Sequence, residues 1–231
     1  MEINNYINLS LESEPKIIGV NNGIYQCEIL PKKFKNKIQF SKLEKITESY
    51  SFKSEVMRTI ENNVKIEYCE LLKKAKITDI ISFSPYLSPC QFIISEKLYH
   101  ILVSYKLGEW TSFIPVSMHE KNGKKLEGNF YMFFQDSLPF SHINFSKSIY
   151  FTINPKEYHK INNLNEYRET LFLDCEKLVL NSNFNNELDF FSIRGMNGYG
   201  ISRKLLKKLE EENISGFNIR KKIKIENNVS G

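Results

Sequence analysis

Residues 94–102 read ISEKLYHIL, and residues 201–209 read ISRKLLKKL. Five of the nine positions are identical at an offset of 107 residues. The shared letters have a structural sense. Ser95 and Ser202 are each placed to accept a backbone N–H at an open helix start, a cap typically worth about 1 kcal/mol. Ile94 with Tyr99, and Ile201 with Leu206, have the spacing of a hydrophobic staple. Each helix ends near a glycine (Gly108, Gly216) and leads through an aromatic residue (Trp110, Phe217) into a strand-like run. The pattern predicts a repeated helix–strand unit.

Outward from these helices, alternation marks strands. WTSFIPVSM (110–118) and EGNFYMFFQ (127–135) read as two strands joined by a turn at Asn122-Gly123. SIYFTI (148–153), ETLFLDCEKLVL (169–180), LDFFSI (188–193) and GFNIRKKIKI (216–225) read as further strands. Near the start, PKIIGV, GIYQCEIL and NKIQF are strand-like. Between Ser41 and Lys76 the spacing is mostly helical, through Leu43, Ile46, Val56, Met57 and Ile60, and again through Ile66, Cys69 and Leu72. Residues 81–92, ISFSPYLSPCQF, read as a loop. The expected class is α+β, a mixed and largely antiparallel sheet covered by amphipathic helices, with internal duplication of a helix–strand unit.

The glycines before the second helix raise a phosphate question. Gly195, Gly198 and Gly200 fit neither the phosphate-loop spacing nor the dinucleotide fingerprint. They read as a tight strand-to-helix connection using positive-φ glycine. A weaker reading puts an anion at the N–H groups of Arg203 and Lys204.

A chain of 231 residues is long enough to bury a core, and 41% hydrophobic with 26% charged residues is an ordinary globular balance. The net charge of +5 is mild. Alanine occurs once and arginine five times, the usage of an AT-rich genome, so the lysine count is discounted as a sign of function. The opening MEINNYINLSLESEP has neither a basic nor an apolar signal region, and no apolar run is long enough for a bilayer. A cytoplasmic protein without membrane contact is expected, with Cys27, Cys69, Cys90 and Cys175 as reduced thiols.

Catalytic constellations are not legible. His100, His119, His142 and His159 are isolated, and no zinc-protease or nucleophile-elbow spacing occurs. Cys90, beside Pro89, is the one conceivable nucleophile, and nothing selects it over an ordinary thiol. No catalytic, metal or cofactor residues are assigned, and no enzyme activity is expected. Two carboxylate pairs at i, i+2 spacing, Asp174 with Glu176 and Glu187 with Asp189, read better as acidic surface than as acid/base partners. Residues 151–190 carry seven acidic and four basic side chains, and residues 191–231 nine basic and four acidic. If Phe130, Met132 and Phe134 face inward, Tyr131 and Phe133 face out, where exposed aromatics can anchor a protein partner, or lie against a second layer on a sheet covered by helices on both sides.

Three stretches carry a resemblance: SPYLSPCQFIISEKLYHILVSYKLGEWTSFIPV (84–116), SHINFSKSIYF (141–151) and LDFFSIRGMNGYGISRKLLKKLEEENISGFNI (188–219). Together they resemble a bacterial immunity-protein family of polymorphic toxin systems, over roughly residues 79–225. Where that pattern has an aspartate-rich stretch, this chain has His142-Ile143-Asn144. Residues 1–78 carry none of the resemblance, which divides the chain into 1–78 and 79–231, packed as one unit. The resemblance implies a cytoplasmic protein that binds a cognate toxin domain and occludes its active site or substrate path, without catalysis or cofactor. Asp174, Glu176, Glu187, Asp189, Tyr131 and Phe133 are then the candidate contacts. The alternative is a nucleic-acid-binding module using KKFKNK (32–37) and RKKIKI (220–225) with exposed aromatics; nucleic acid is the less favoured partner.

Overall fold

The computed structural model describes residues 6–21, 25–38, 41–42, 44, 64–84, 90–108, 111–153, 155–170 and 173–227. Within them the strands form two seven-stranded sheets rather than the single sheet expected from the alternation. The first sheet runs β4 (Ile80–Ile81), β6 (Cys90–Ser95), β8 (Phe130–Gln135), β7 (Thr111–His119), β3 (Ile66–Leu71), β2 (Cys27–Ile29), β5 (Phe83–Ser84). The second runs β12 (Phe190–Phe191), β13 (Tyr199–Ile201), β1 (Tyr6–Leu11), β14 (Phe217–Asn227), β11 (Leu173–Leu180), β9 (Ile149–Thr152), β10 (Glu157–His159).

Read in these directions, the sheets match pair by pair. Three antiparallel pairings come first, then one parallel pairing (β7 with β3, β14 with β11), then one antiparallel. Only the far edges differ: β5 pairs parallel with β2, whereas β10 pairs antiparallel with β9. Helix α2 (Glu96–Leu102) follows β6, and α4 (Arg203–Glu211) follows β13, in equivalent places. The place that β8 fills in the first sheet is filled in the second by β1, from the opposite end of the chain. β1 lies between β13 (Ile7 opposite Ile201) and β14 (Tyr6 opposite Ile225). The sheets therefore cross the 78/79 division: β1 completes the C-terminal sheet, and β2 and β3 belong with β6 to β8.

Both serine caps form, Ser95 Oγ accepting from Leu98 N–H and Ser202 Oγ from Leu205 N–H. Behind each serine stands an aspartate. Asp79 accepts Ser95 Oγ at 2.7 Å and, on its other carboxylate oxygen, the N–H and Oγ of Ser215 at 2.9 Å each. Asp189 accepts Ser202 Oγ at 2.6 Å and the N–H of Lys106 at 3.0 Å. Ser215 lies just past α4 and Lys106 just past α2, so each carboxylate joins the start of its own helix to the far end of the other. Hydrogen bonds to an ionised acceptor are the stronger kind.

The core has three parts. A central cluster takes Leu98, Ile101 and Leu102 from α2, Leu205, Leu206 and Leu209 from α4, and residues of both sheets such as Leu9, Phe92, Phe133, Phe190 and Ile201. A second cluster packs on the first sheet through Ile66, Ile114, Met132 and Phe134. The third packs on the second sheet through Tyr150, Cys175, Leu178, Phe191 and Ile193.

Four local expectations are corrected. PKIIGV is not a strand: Pro15 occupies the first helical turn of α1 (Pro15–Ile18), and Gly19 closes it at φ 80°. In NKIQF, Lys37 and Ile38 are helical, and residues 39–40 lie outside the described residues. Ile66, Cys69 and Leu72 do not continue a helix, because residues 66–71 form β3; the register against β7 shifts between Ile66 and Cys69. That irregularity puts two residues three apart into the same cluster, which imitates helical spacing. The expected loop at 81–92 holds β5 and part of β6. Leu43, Ile46, Val56, Met57, Ile60, Trp110 and the centre of that loop lie outside the described residues. Helix α3 (Leu164–Glu169) starts at Asn163, whose side chain accepts from Asn165 and Glu166 N–H.

Candidate functional site

The six candidate contact residues separate into three places. Phe133 is fully buried in the central cluster, stacked on Phe92 at 5.1 Å between centroids. Asp189 is 7% exposed and holds the helix junction. Neither presents a side chain to a partner, and both are corrected from surface to scaffold. Alternation gave their face of the strand, but the second layer covers that face. Tyr131 is half-buried, stacked on Tyr99 at 4.3 Å, with its phenol pushed up by burial. Glu187 is exposed and pairs with Lys106 Nζ at 2.5 Å, whose hydrogen bond holds its carboxyl below the usual range.

Asp174 and Glu176 are the pair that the fold brings to an open edge. Asp174 lies opposite Phe151 on β9, and Phe151 lies opposite Tyr158 on β10, the last strand of its sheet. Glu176 sits where the register against β9 shifts, between Cys175 and Lys177. It accepts the Tyr158 hydroxyl at 2.6 Å and lies 3.7 Å from Lys156 Nζ. That lysine stands 5.0 Å from the centroids of both Phe151 and Tyr158.

Around this ring pair the edge is apolar and uncovered. Ile149 is 38% exposed, Ile153 64% and Tyr158 53%. The opposite side of β9 is filled by Tyr150, wholly buried beside Cys175. Sequence reading found the strand SIYFTI but not this surface. The signal was present: Ile149, Phe151 and Ile153 alternate with Tyr150 on one strand, so both faces are apolar and only one can belong to the core.

The basic segments have other duties in part. Lys33, within KKFKNK, bonds Glu70 at 2.5 Å, and Lys121 bonds its other oxygen at 2.8 Å. Burial alone raises the Glu70 carboxyl, but the two lysines outweigh it and bring it to about 2. Tyr68 adds its hydroxyl and stacks on His119 at 3.9 Å. In the glycine loop, Gly198 has φ 100°, and a Cβ there would meet the Leu9 carbonyl at 2.5 Å. A Cβ on Gly200 would meet the Phe191 ring at 2.2 Å. These glycines let β13 pack against β1 and β12.

Among the described residues no group of three or more His, Cys, Asp or Glu side chains is gathered as a metal site. Cys27, Cys69 and Cys175 are buried, and burial with the charge of Asp174 pushes the Cys175 thiol up to about 12. The side chain of Cys90 lies outside the described residues. No described helix is long and apolar enough to cross a membrane. No family model matches the chain, and no curated protein does.

Proposed function

We propose that the protein binds and neutralises a cognate bacterial toxin domain by covering its active site or substrate path, with the β9–β10 edge as part of the docking surface. The observation that carries this reading is the uncovered apolar group Ile149, Ile153 and Tyr158 beside Asp174 and Glu176. Contiguous exposed apolar surface rimmed by polar groups favours protein contact, and a tyrosine at its centre suits an anchor. The carboxylates suit a partner with a basic rim and speed encounter with it. The sequence resemblance to immunity proteins supports the same reading. The matching order of the two sheets supports a companion inference, that the two helix–strand units are copies of one ancestor.

The test is co-expression with the toxin domain encoded beside this chain, followed by purification of the pair. Growth rescue and a complex stable at micromolar concentration, a binding free energy of about −8 kcal/mol or better, are expected. Tyr158→Ala should weaken the complex by about 2 kcal/mol or more. A pair that fails to associate at that concentration sinks the proposal.

A further inference from the structure

The loop between β12 and β13 walls a cavity of about 300 Å³, at the small end of the range for ligand pockets. Its polar lining includes Gln91, Ser137, Ser192, Arg194, Asn197 and Tyr199, and no described lining residue carries a carboxylate. Three of these side chains are tied into the wall. Tyr199 donates its hydroxyl to Gln91 Oε1 at 3.0 Å, and Gln91 Nε2 donates to the Gln135 carbonyl at 2.8 Å. Asn197 Nδ2 donates to Asp174 Oδ1 at 3.2 Å.

The remaining three define the chemistry. Ser137 Oγ and Ser192 Oγ are 2.8 Å apart, and Ser192 is 7% exposed. Two hydroxyls sharing one hydrogen bond use one proton between them, so the accepting hydroxyl keeps its own O–H for a third group. Arg194 is an exposed side chain on the same wall. Its guanidinium offers five donors in a planar fork and stays charged at every accessible pH. A cavity bordered by an arginine, with a spare hydroxyl donor and no acid among its described lining residues, suits an oxyanion.

We propose that this cavity binds a small oxyanion, a carboxylate or phosphate group, held by Arg194 and the Ser137–Ser192 pair. The site adjoins the β9–β10 edge through the Asn197–Asp174 hydrogen bond, but anion binding there does not rest on toxin binding. The glycines turn the loop for packing on its inner side, and the ligand occupies its outer side.

The test is amide NMR of the full chain titrated with inorganic phosphate and, separately, with acetate, against sodium chloride at equal ionic strength. Saturable shifts at Gly195, Asn197 and Gly198 are expected, with a dissociation constant of about 1 mM or tighter. Saturation by phosphate alone, acetate alone or both identifies the anion, and each supports the site. Arg194→Ala, at an exposed position, should weaken binding about tenfold or more with the spectrum still dispersed, and Arg194→Lys should retain part of it. Shifts no larger than those in chloride, or saturable binding unchanged in Arg194→Ala, overturn the proposal.

Discussion

Asp79 and Asp189 hold equivalent junctions by unequal means. Asp79 is half-buried and grips Ser215 by both its N–H and its hydroxyl; Asp189 is buried and grips only the N–H of Lys106. The two sheets show a like contrast. Their first six strands follow one order and one set of pairing directions, and the divergence comes at the far edge. In the first sheet that edge is the two-residue β5, in the second the three-residue β10, whose exposed Tyr158 lies opposite the shared strand β9. The shared strands make the scaffold, and the proposed docking surface is completed by β10, where the units stop resembling each other.

The strongest way to break this comparison concerns β1. Deleting residues 1–12 leaves β13 and β14 without the strand between them and strips Leu9 from the central cluster. Loss of cooperative urea unfolding is expected, since only roughly 5–15 kcal/mol holds a domain together and a central strand is removed. Because Tyr6 lies opposite Ile225, a short glycine-rich linker from residue 227 to residue 6 should recreate a β14–β1 hairpin equivalent to β7–β8. With new ends opened at Ser13–Glu14, that permuted chain should unfold cooperatively near the natural midpoint. If it does not fold, the strand correspondence is a coincidence of pairing.

The aspartates come next. Asp79→Ala or Asp189→Ala removes charge-assisted bonds and strands buried donors, at a cost of about 3 kcal/mol each in urea titrations. Because both hold the same contact between the units, the double variant should cost less than the sum by about 0.5 kcal/mol or more. Strict additivity would mean that the junctions act independently.

Glu70 belongs to the first unit, and gives a pH signature that sharpens the contrast. Its folded carboxyl lies near 2, against an ordinary 4.5. The stabilisation from its lysine pairs is therefore complete above about 4.5 and is lost as pH falls toward 2. The urea midpoint of Glu70→Gln should fall less steeply than that of the natural chain between pH 5 and pH 2. Parallel curves would remove Glu70 from the account.

What could be read in advance follows the range of each interaction. Ser95 and Ser202 were legible because a cap is local. β7 and β8 were legible because one strand's alternation reveals its face. β1 was not, since its partners lie about 190 to 220 residues away and a repeat search assumes unbroken order. The aspartates left a signal that went unread: Asp79-Ile80-Ile81-Ser82-Phe83 and Asp189-Phe190-Phe191-Ser192-Ile193 share one pattern at an offset of 110. Alternation left Phe133 facing either solvent or a second layer, because it assigns faces and does not count layers; the structure has the second layer. Asp174 and Glu176 were found as a pair, but the exposed apolar edge beside them was not.

Glu187 offers the finest discrimination. It stands two residues before Asp189, and both carboxylates meet Lys106, one at the ammonium and one at the backbone N–H. The ammonium pair is open to solvent on both sides, where ordering two long side chains offsets most of the attraction and salt screens the rest. Glu187→Gln should therefore leave the urea midpoint unchanged within error at moderate salt, while Asp189→Asn lowers it clearly. Equal losses from the two substitutions would show that the Lys106 side chain, and not its backbone, joins the two helices.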